Sequence, residues 1–402
     1  MRVSTKKMKA RTGPCYNRLV RQSSYDIAVI GAGSFGSWIA WHLRRAGKSV
    51  LLVDAWSPGH ARASSGGESR LIRMGYGADE IYTRMAMRSL ALWRNLFRHT
   101  EQPLFQRTGV LFMARADDPH SSATGQTLRK TGAPFEIVPG GELARRYPQM
   151  RIEDPRVYGI LEPESGVLMA RRAVAAVVED AVRRGVVYAT EAVRGPLGNG
   201  EVRTASGEPI RAALFIFACG PWLPKIFPGL LATRICPTRQ EIFFFAPPAG
   251  DGRFAPPHFP AWIDFTDPRG PYGCPDLESR GFKLGFDRHG EAFDPDTGDR
   301  RISAAGLEEA RRFLAERFPD LRDAPLTESR VCQYENTSNG DFLIDRHPEF
   351  ENVWLVGGGS GHGFKHGPAV GEYVCQAIVK GGAGEPRFSF ASKGERRQRT
   401  VY

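Results

Sequence analysis

The chain of 402 residues is 41% apolar and 25% charged, which leaves room for two domains with real cores in an ordinary soluble globular composition. No apolar stretch approaches the roughly 18–20 residues needed to span a membrane. The six scattered cysteines (Cys15, Cys219, Cys236, Cys274, Cys332, Cys375) argue against a zinc site or disulfide framework and for a reducing cytoplasm. The formal net charge of +11 sits at the ends. Residues 1–22 hold seven Lys/Arg and no acid, residues 391–402 add a net +3, and the body is left near +1. A broad basic face for nucleic acid is therefore not indicated. The basic N-terminal tail 1–22 lacks the apolar segment of a secretory signal and reads as disordered, and residues 391–402 form a second basic tail.

After the tail, DIAVIGAGSFGSWIAWHLRRAGKSVLLVD (26–54) is an apolar run, a glycine cluster, a helical pattern and a second apolar run. Gly31, Gly33 and Gly36 have the spacing G-x-G-x-x-G. The first permits a tight turn, the second lets backbone approach a pyrophosphate, and the third lets helix and strand pack closely. The helix start, with Ser34 and Phe35, offers free N–H groups to phosphate. Asp54 follows Gly31 where an acid accepts hydrogen bonds from a ribose diol. The unit binds an ADP moiety and by itself does not separate FAD from NAD.

A Gly/Ser/Arg-rich loop follows at 59–77, then a helical pattern at 79–98. Residues 107–114 and 157–161 read as strands, 170–185 as a helix stopped by glycine, and 186–193 as a strand. LFIFACGPW (214–222) is an apolar strand running into Gly-Pro-Trp. Residues 238–300 have the turn-rich pattern of an antiparallel sheet, and 305–318 form a helix. NVWLVGGGSGHGF (352–364) is a buried strand opening into glycines, followed by a helix from about Pro368 to Lys380. The fold class is α/β. A Rossmann-like cofactor domain is built from 23–104, 164–236 and 326–390. An inserted α+β substrate domain, 105–163 with 237–325, contains a mainly antiparallel sheet.

Four segments carry a resemblance to a known family: SSGGESRLIRMGYG (64–77), LEPESGVL (161–168), YGCPDLESRGFKLGF with FDPDTGDR (272–286, 293–300), and VCQYENTSNGDFLIDRHPEFENVWLVGGGSGHGFKHGPAVGE (331–372). In order and spacing, the chain from about Asp26 to Phe390 resembles the monomeric sarcosine oxidases, within the D-amino-acid-oxidase-like flavoproteins. The resemblance implies covalently bound FAD and oxidation of secondary amines of amino acids.

It also implies roles. Cys332 stands where the family joins the flavin 8α-methyl group to sulfur; most other free cysteines are small buried hydrophobes. Lys283 stands where a lysine helps dioxygen accept electrons. An ammonium about 5 Å from the forming anion gains roughly 3 kcal/mol at an effective dielectric near 20, a few hundred-fold in rate. Arg73 and Lys365 match two cations for the substrate carboxylate, a planar fork and a point charge. Arg70 and Tyr334 match residues close to the flavin. Tyr272 matches a tyrosine of the substrate cavity, although it reads equally as a packing aromatic. Ser64, Ser65, Cys219, Gly220, Trp222, Gly358, Gly359, Gly361, Gly363, Phe364 and Lys365 complete the expected cofactor contacts, and no metal is expected.

Two departures stand out. Well-known members carry a histidine where this chain has Gly66, and another at Asp287. Gly66 is expected to enlarge the space beside the flavin. Asp287 is expected either to favour a cationic or hydrogen-bond-donating substrate or to pair with Lys283 or Arg288. A larger N-alkyl or cyclic amino acid is therefore expected over sarcosine. The expectation is a cytoplasmic, monomeric amine oxidase using dioxygen, with no nucleic-acid or membrane partner. The alternatives are a dehydrogenase with another acceptor, a non-catalytic binding protein using its basic tails, and an NAD-dependent enzyme.

Overall fold

The computed structural model describes residues 24–394 apart from 101, 199 and 383; the expected basic tail 1–22 and residues 395–402 lie outside the described residues. The first apolar run forms the strand Tyr25–Ile30, buried at five of six positions. Parallel neighbours flank it on both sides, Val50–Asp54 and Ala212–Phe217. Val187–Thr190 extends the sheet on one side. On the other, Val353–Gly357 continues it in parallel and Leu343–Arg346 closes the edge antiparallel. Strands buried on both faces read as unbroken apolar runs, which is why these segments show no alternation. The helices Ser34–Arg45, Ala170–Arg183 and Gly367–Lys380 pack together on this sheet. A Cβ at Gly371 would lie 2.6 Å from the Trp38 backbone, so glycine sets how closely two of the helices cross.

The second sheet has eight strands, in the order Leu326–Thr337, Ile235–Phe245, Phe282–Phe286, Pro271–Cys274, Ala261–Asp264, Val110–Arg115, Val157–Glu162 and Glu136–Val138. Only the pairing of Ala261–Asp264 with Val110–Arg115 is parallel. One face is a dry core in which Trp262, Phe282, Phe313 and Phe318 pack beneath the helix Ala304–Arg317. The other face carries a small separate cluster, Ile242, Phe244 and Cys332 with Tyr272 against them. Side chains alternate along a strand, so Lys283 points away from the Phe282 and Leu284 core, toward this second face.

Residues 326–337, grouped above with the cofactor domain, hydrogen-bond instead into the eight-stranded sheet, where Cys332 lies opposite Gln240 and Tyr334 opposite Thr238. A short sheet of Arg70–Ile72, Gly166–Leu168 and Phe105–Gln106 links the two larger ones. Lys393, counted above in the C-terminal tail, is buried, and its ammonium donates to Asn339 Oδ1 at 3.2 Å and Arg387 O at 2.5 Å. Among the described residues no helix is long and apolar enough to cross a membrane.

Candidate active site

One cavity opens where the parallel strands end, as expected for this class of sheet, and a second lies against the eight-stranded sheet. The first, about 350 Å³, is lined by Gly31, Gly33, Ser34, Phe35, Asp54, Ser64, Ser65, Cys219, Gly220, Trp222, Gly359 and Gly363. Gly31 takes φ +103, and a Cβ there would overlap Ala218 O, so only glycine fits. The helix Ser34–Arg45 has no side-chain cap. Instead Ser34 N donates to Ser65 Oγ at 3.1 Å and Ser34 Oγ to Phe364 O at 2.8 Å. Three chain segments are thereby tied together at a helix N-terminus, where amides and dipole favour phosphate. The Asp54 carboxylate accepts from Ala32 N at 2.6 Å and Trp56 N at 2.9 Å, and burial pushes its pKa up. Burial also pushes the Cys219 thiol up, in keeping with an inert residue.

The second cavity, about 440 Å³, lies across a shared wall: Arg70, Cys332, Tyr334, Gly361 and Phe364 line both. Cys332 and Tyr334 are two residues apart on one strand and so project from the same face. Arg70 donates to Cys332 Sγ at 3.2 Å and to Ser64 O at 2.7 Å. Tyr272 OH lies 3.4 Å from Tyr334 OH, and burial pushes the Tyr272 phenol up. Lys283 is 2% exposed and donates to Ser69 O at 2.8 Å and Ser69 Oγ at 3.2 Å. Burial pulls its pKa from 10.5 down to about 8.

Arg73 and Lys365 line the same cavity. The turn carrying Arg73 is held by the buried Glu162, whose carboxylate accepts from Gly75 N at 2.6 Å, Met74 N at 2.8 Å and Ser165 Oγ at 2.5 Å. That is the physical content of the LEPESG segment. Arg73 itself donates to Gly75 O. Lys365 donates to Tyr76 OH at 2.8 Å and His362 O at 3.0 Å.

Lys283, Arg73, Lys365, Tyr272 and Asp287 thus come together in one cavity from widely separated parts of the chain. Gly36 lines neither cavity, and a Cβ there would overlap Gly31 O, in keeping with the packing role its spacing implied. Three sequence expectations differ from the geometry. Gly358 lines neither cavity, and a Cβ there would overlap the Thr337 methyl, so it is a packing position. Lys365 lies in the second cavity rather than the cofactor crevice. Gly66 leaves no extra room, because a Cβ there would overlap His60 O and backbone fills the position. Arg288 pairs with Glu309 and Lys283 donates to Ser69, while Asp287 faces the cavity.

Sequence reasoning missed Tyr76, Glu162 and Glu335. Glu162 and Glu335 lie inside the quoted segments, but only contacts remote in sequence reveal what they do. Glu335 Oε1 accepts from Gly359 N at 3.1 Å, and burial pushes its carboxyl up to about 7. Glu335 Oε2 and Ser64 Oγ, both in residues lining the first cavity, have no hydrogen-bond partner among the described residues. Such orphans mark where a bound group supplies the partner. With the uncapped helix start and the Asp54 carboxylate in the same crevice, they fit a flavin adenine dinucleotide. Among the described residues no group of three or more His, Cys, Asp or Glu is arranged to hold a metal ion.

A dinucleotide-type crevice that meets a cation-lined cavity across one wall is the arrangement of a nucleotide-dependent oxidoreductase. The chain belongs to the FAD dependent oxidoreductase family, whose model matches residues 26–377. It is similar to monomeric sarcosine oxidase of Bacillus sp. (strain B-0618), 32% identical over 367 residues, or 89% of this chain and 93% of that protein. It is also similar to N-methyl-L-tryptophan oxidase of Citrobacter koseri, 31% identical over 360 residues, covering 87% and 94%. In fold it resembles L-proline dehydrogenase from P. horikoshii (TM-score 0.79, 23% identity, 93% of this chain and 99% of that one). It also resembles the amino acid oxidase NikD (TM-score 0.74, 22% identity, 90% and 96%). The expected likeness to the sarcosine oxidases and the expected fold class both hold.

Proposed function

We propose that the protein is an oxidase of the C–N bond of a secondary amino acid, N-alkyl or cyclic, yielding an imine and hydrogen peroxide. The observation that carries this reading is one cavity holding buried Lys283, Arg73 and Lys365 against a wall shared with the dinucleotide crevice. Relatives named as oxidases of sarcosine and N-methyl-L-tryptophan support the substrate class. Bound FAD supplies two-electron acceptance from the amine and delivery to dioxygen.

The chain's own residues do the rest. Arg73 takes the substrate carboxylate with its planar fork and Lys365 adds a point charge. This holds the reacting carbon against the wall of Cys332 and Tyr334. The same cations disfavour an ammonium beside them, so the amine binds as the neutral base and its proton leaves to solvent. Lys283, held by Ser69, meets the negative charge that develops as dioxygen takes up electrons. Cys332 is the residue that would hold FAD, as a thioether to its 8α-methyl group, with dioxygen as the acceptor of the two electrons and two protons such a bond would release. Asp287 favours a substrate whose far end donates a hydrogen bond. A single chain working in the cytoplasm completes the reading, supported by five described cysteines that are all free.

A panel of secondary amino acids offered aerobically tests it. The expected result is peroxide release matched to imine formation. Flavin that substrate reduces but air does not reoxidise would identify a dehydrogenase instead, and protein purified without any yellow colour would point to a binding module.

A further inference from the structure

Behind the two carboxylate-binding cations lies Tyr76, 2% exposed, three residues after Arg73 and lining neither cavity. The Arg73 guanidinium carbon lies 4.2 Å from its ring centroid. The Lys365 ammonium donates to its hydroxyl at 2.8 Å. One aromatic side chain therefore touches both cations, the first through its face and the second through its edge. Each cation is also anchored on backbone: Arg73 on Gly75 O and Lys365 on His362 O.

The hydroxyl is set in turn by two histidines, with His366 Nε2 at 2.7 Å and His362 Nδ1 at 3.4 Å. An ammonium has donors only, so the Tyr76 oxygen accepts from Lys365, and its remaining hydrogen-bonding capacity serves the imidazoles. Burial first, and then the nearby cations Lys365 and Arg73, hold His366 far below the ordinary imidazole range, so it stays neutral. His366 therefore adds no positive charge to the group.

We propose that Tyr76 is a positioning residue for anion recognition, fixing the Arg73 fork and the Lys365 ammonium so that both address one carboxylate of the substrate. The proposal rests on the reading of Arg73 and Lys365 as the carboxylate-binding cations. Two like charges lining one buried cavity repel, and a lysine stem has the rotamers to carry its charge elsewhere. The ring face attracts the guanidinium by its quadrupole, and the hydroxyl removes the freedom of the lysine. The competing role is plain core packing, since the ring also lies against Tyr82 with centroids 5.4 Å apart.

Ligand titrations on the holoenzyme, read by perturbation of flavin absorbance, separate the two roles. The probes are acetate and its uncharged analogue acetamide. Tyr76→Phe keeps the ring and loses the hydroxyl; it should weaken acetate binding about ten-fold, the size of one charge-assisted hydrogen bond. Acetamide binding and the spectrum of the free enzyme should not change. In turnover the KM of an amino acid substrate should rise while kcat holds. Tyr76→Leu should weaken acetate further, and if it fails to fold, Tyr76→Phe carries the test alone. Unchanged acetate binding in Tyr76→Phe, or equal losses for both probes, would overturn the proposal. Lys365→Met is the control: if it binds acetate as tightly as the parent, the reading of the cations falls and Tyr76 falls with it. If Lys365→Met is impaired and Tyr76→Phe is not, only Tyr76 is excluded.

Discussion

The crevice at the ends of the parallel strands and the cavity under the eight-stranded sheet share a wall but are made of different material. The crevice presents mainly backbone: a helix start and glycine-bearing loops, with carboxylates that include Asp54 and Glu335. The cavity presents long charged side chains, each held by partners of its own. Ser69 holds Lys283, Gly75 holds Arg73, and His362 with Tyr76 holds Lys365. Backbone sites fail when a Cβ intrudes; side-chain sites fail when a partner is lost. On the proposed function, the first region would govern whether a cofactor stays, and the second what is oxidised and how fast.

Substitution at the wall between them should have the largest effect. Cys332→Ser should leave FAD reversibly bound at best. Acid-precipitated parent protein should keep its yellow colour and an added mass of one FAD, both lost in the variant; a parent pellet that washes colourless defeats the thioether. Next in size is Lys283→Met. It should leave reduction by substrate largely intact and slow reoxidation by dioxygen roughly a hundred-fold or more in stopped flow. The charged lysine is the helpful form, so the parent's reoxidation rate should fall as pH rises through about 8, while the variant's stays flat. A parent profile without that inflection would make the lysine structural.

Arg73→Ala should weaken substrate binding about ten- to a hundred-fold, the range of a hydrogen bond to a charged group. Amines lacking the carboxylate should lose much less, and equal losses would assign the arginine to the fold. Asp287→Asn is the smallest and sharpest probe of the cavity. A drop of a few-fold in kcat/KM is expected on a substrate with a distal donor, with none on an apolar one of similar size. Sarcosine proving the best substrate in that panel would leave Asp287 without a selective role.

The two regions were also unequally legible in the sequence. Gly31, Gly33, Gly36 and Asp54 fall within one βαβ unit, where spacing alone implies geometry. Lys283 and Arg73 carry no such local signal, and only family resemblance singles them out. What binds them to the site is register: Lys283 lies opposite Phe244 and Cys274 on neighbouring strands, a pairing that periodicity does not specify. Gly66 misled for a related reason. A missing side chain reads as empty space in one dimension, yet here the carbonyl of His60 occupies it. Tyr76 was invisible because a lone aromatic between two glycines of a loop carries no chemical signal, and its ring packs in the core. Only its hydroxyl, 2.8 Å from Lys365, distinguishes it.

The burial of Lys283 has a consequence for folding as well as for turnover. Its pKa falls from 10.5 in the unfolded chain to about 8 in the native state, so below pH 8 the native state carries an ammonium that water would hold more favourably. That difference is worth about 3 kcal/mol against folding. Between about pH 8 and 10.5 the unfolded chain binds more protons, so this contribution makes the protein more stable as pH rises. Lys283→Met should therefore melt higher than the parent at pH 7, with the gap closing toward pH 10. A buried lysine of this kind is a local instability that the aromatic core on the opposite face of the same sheet has to offset.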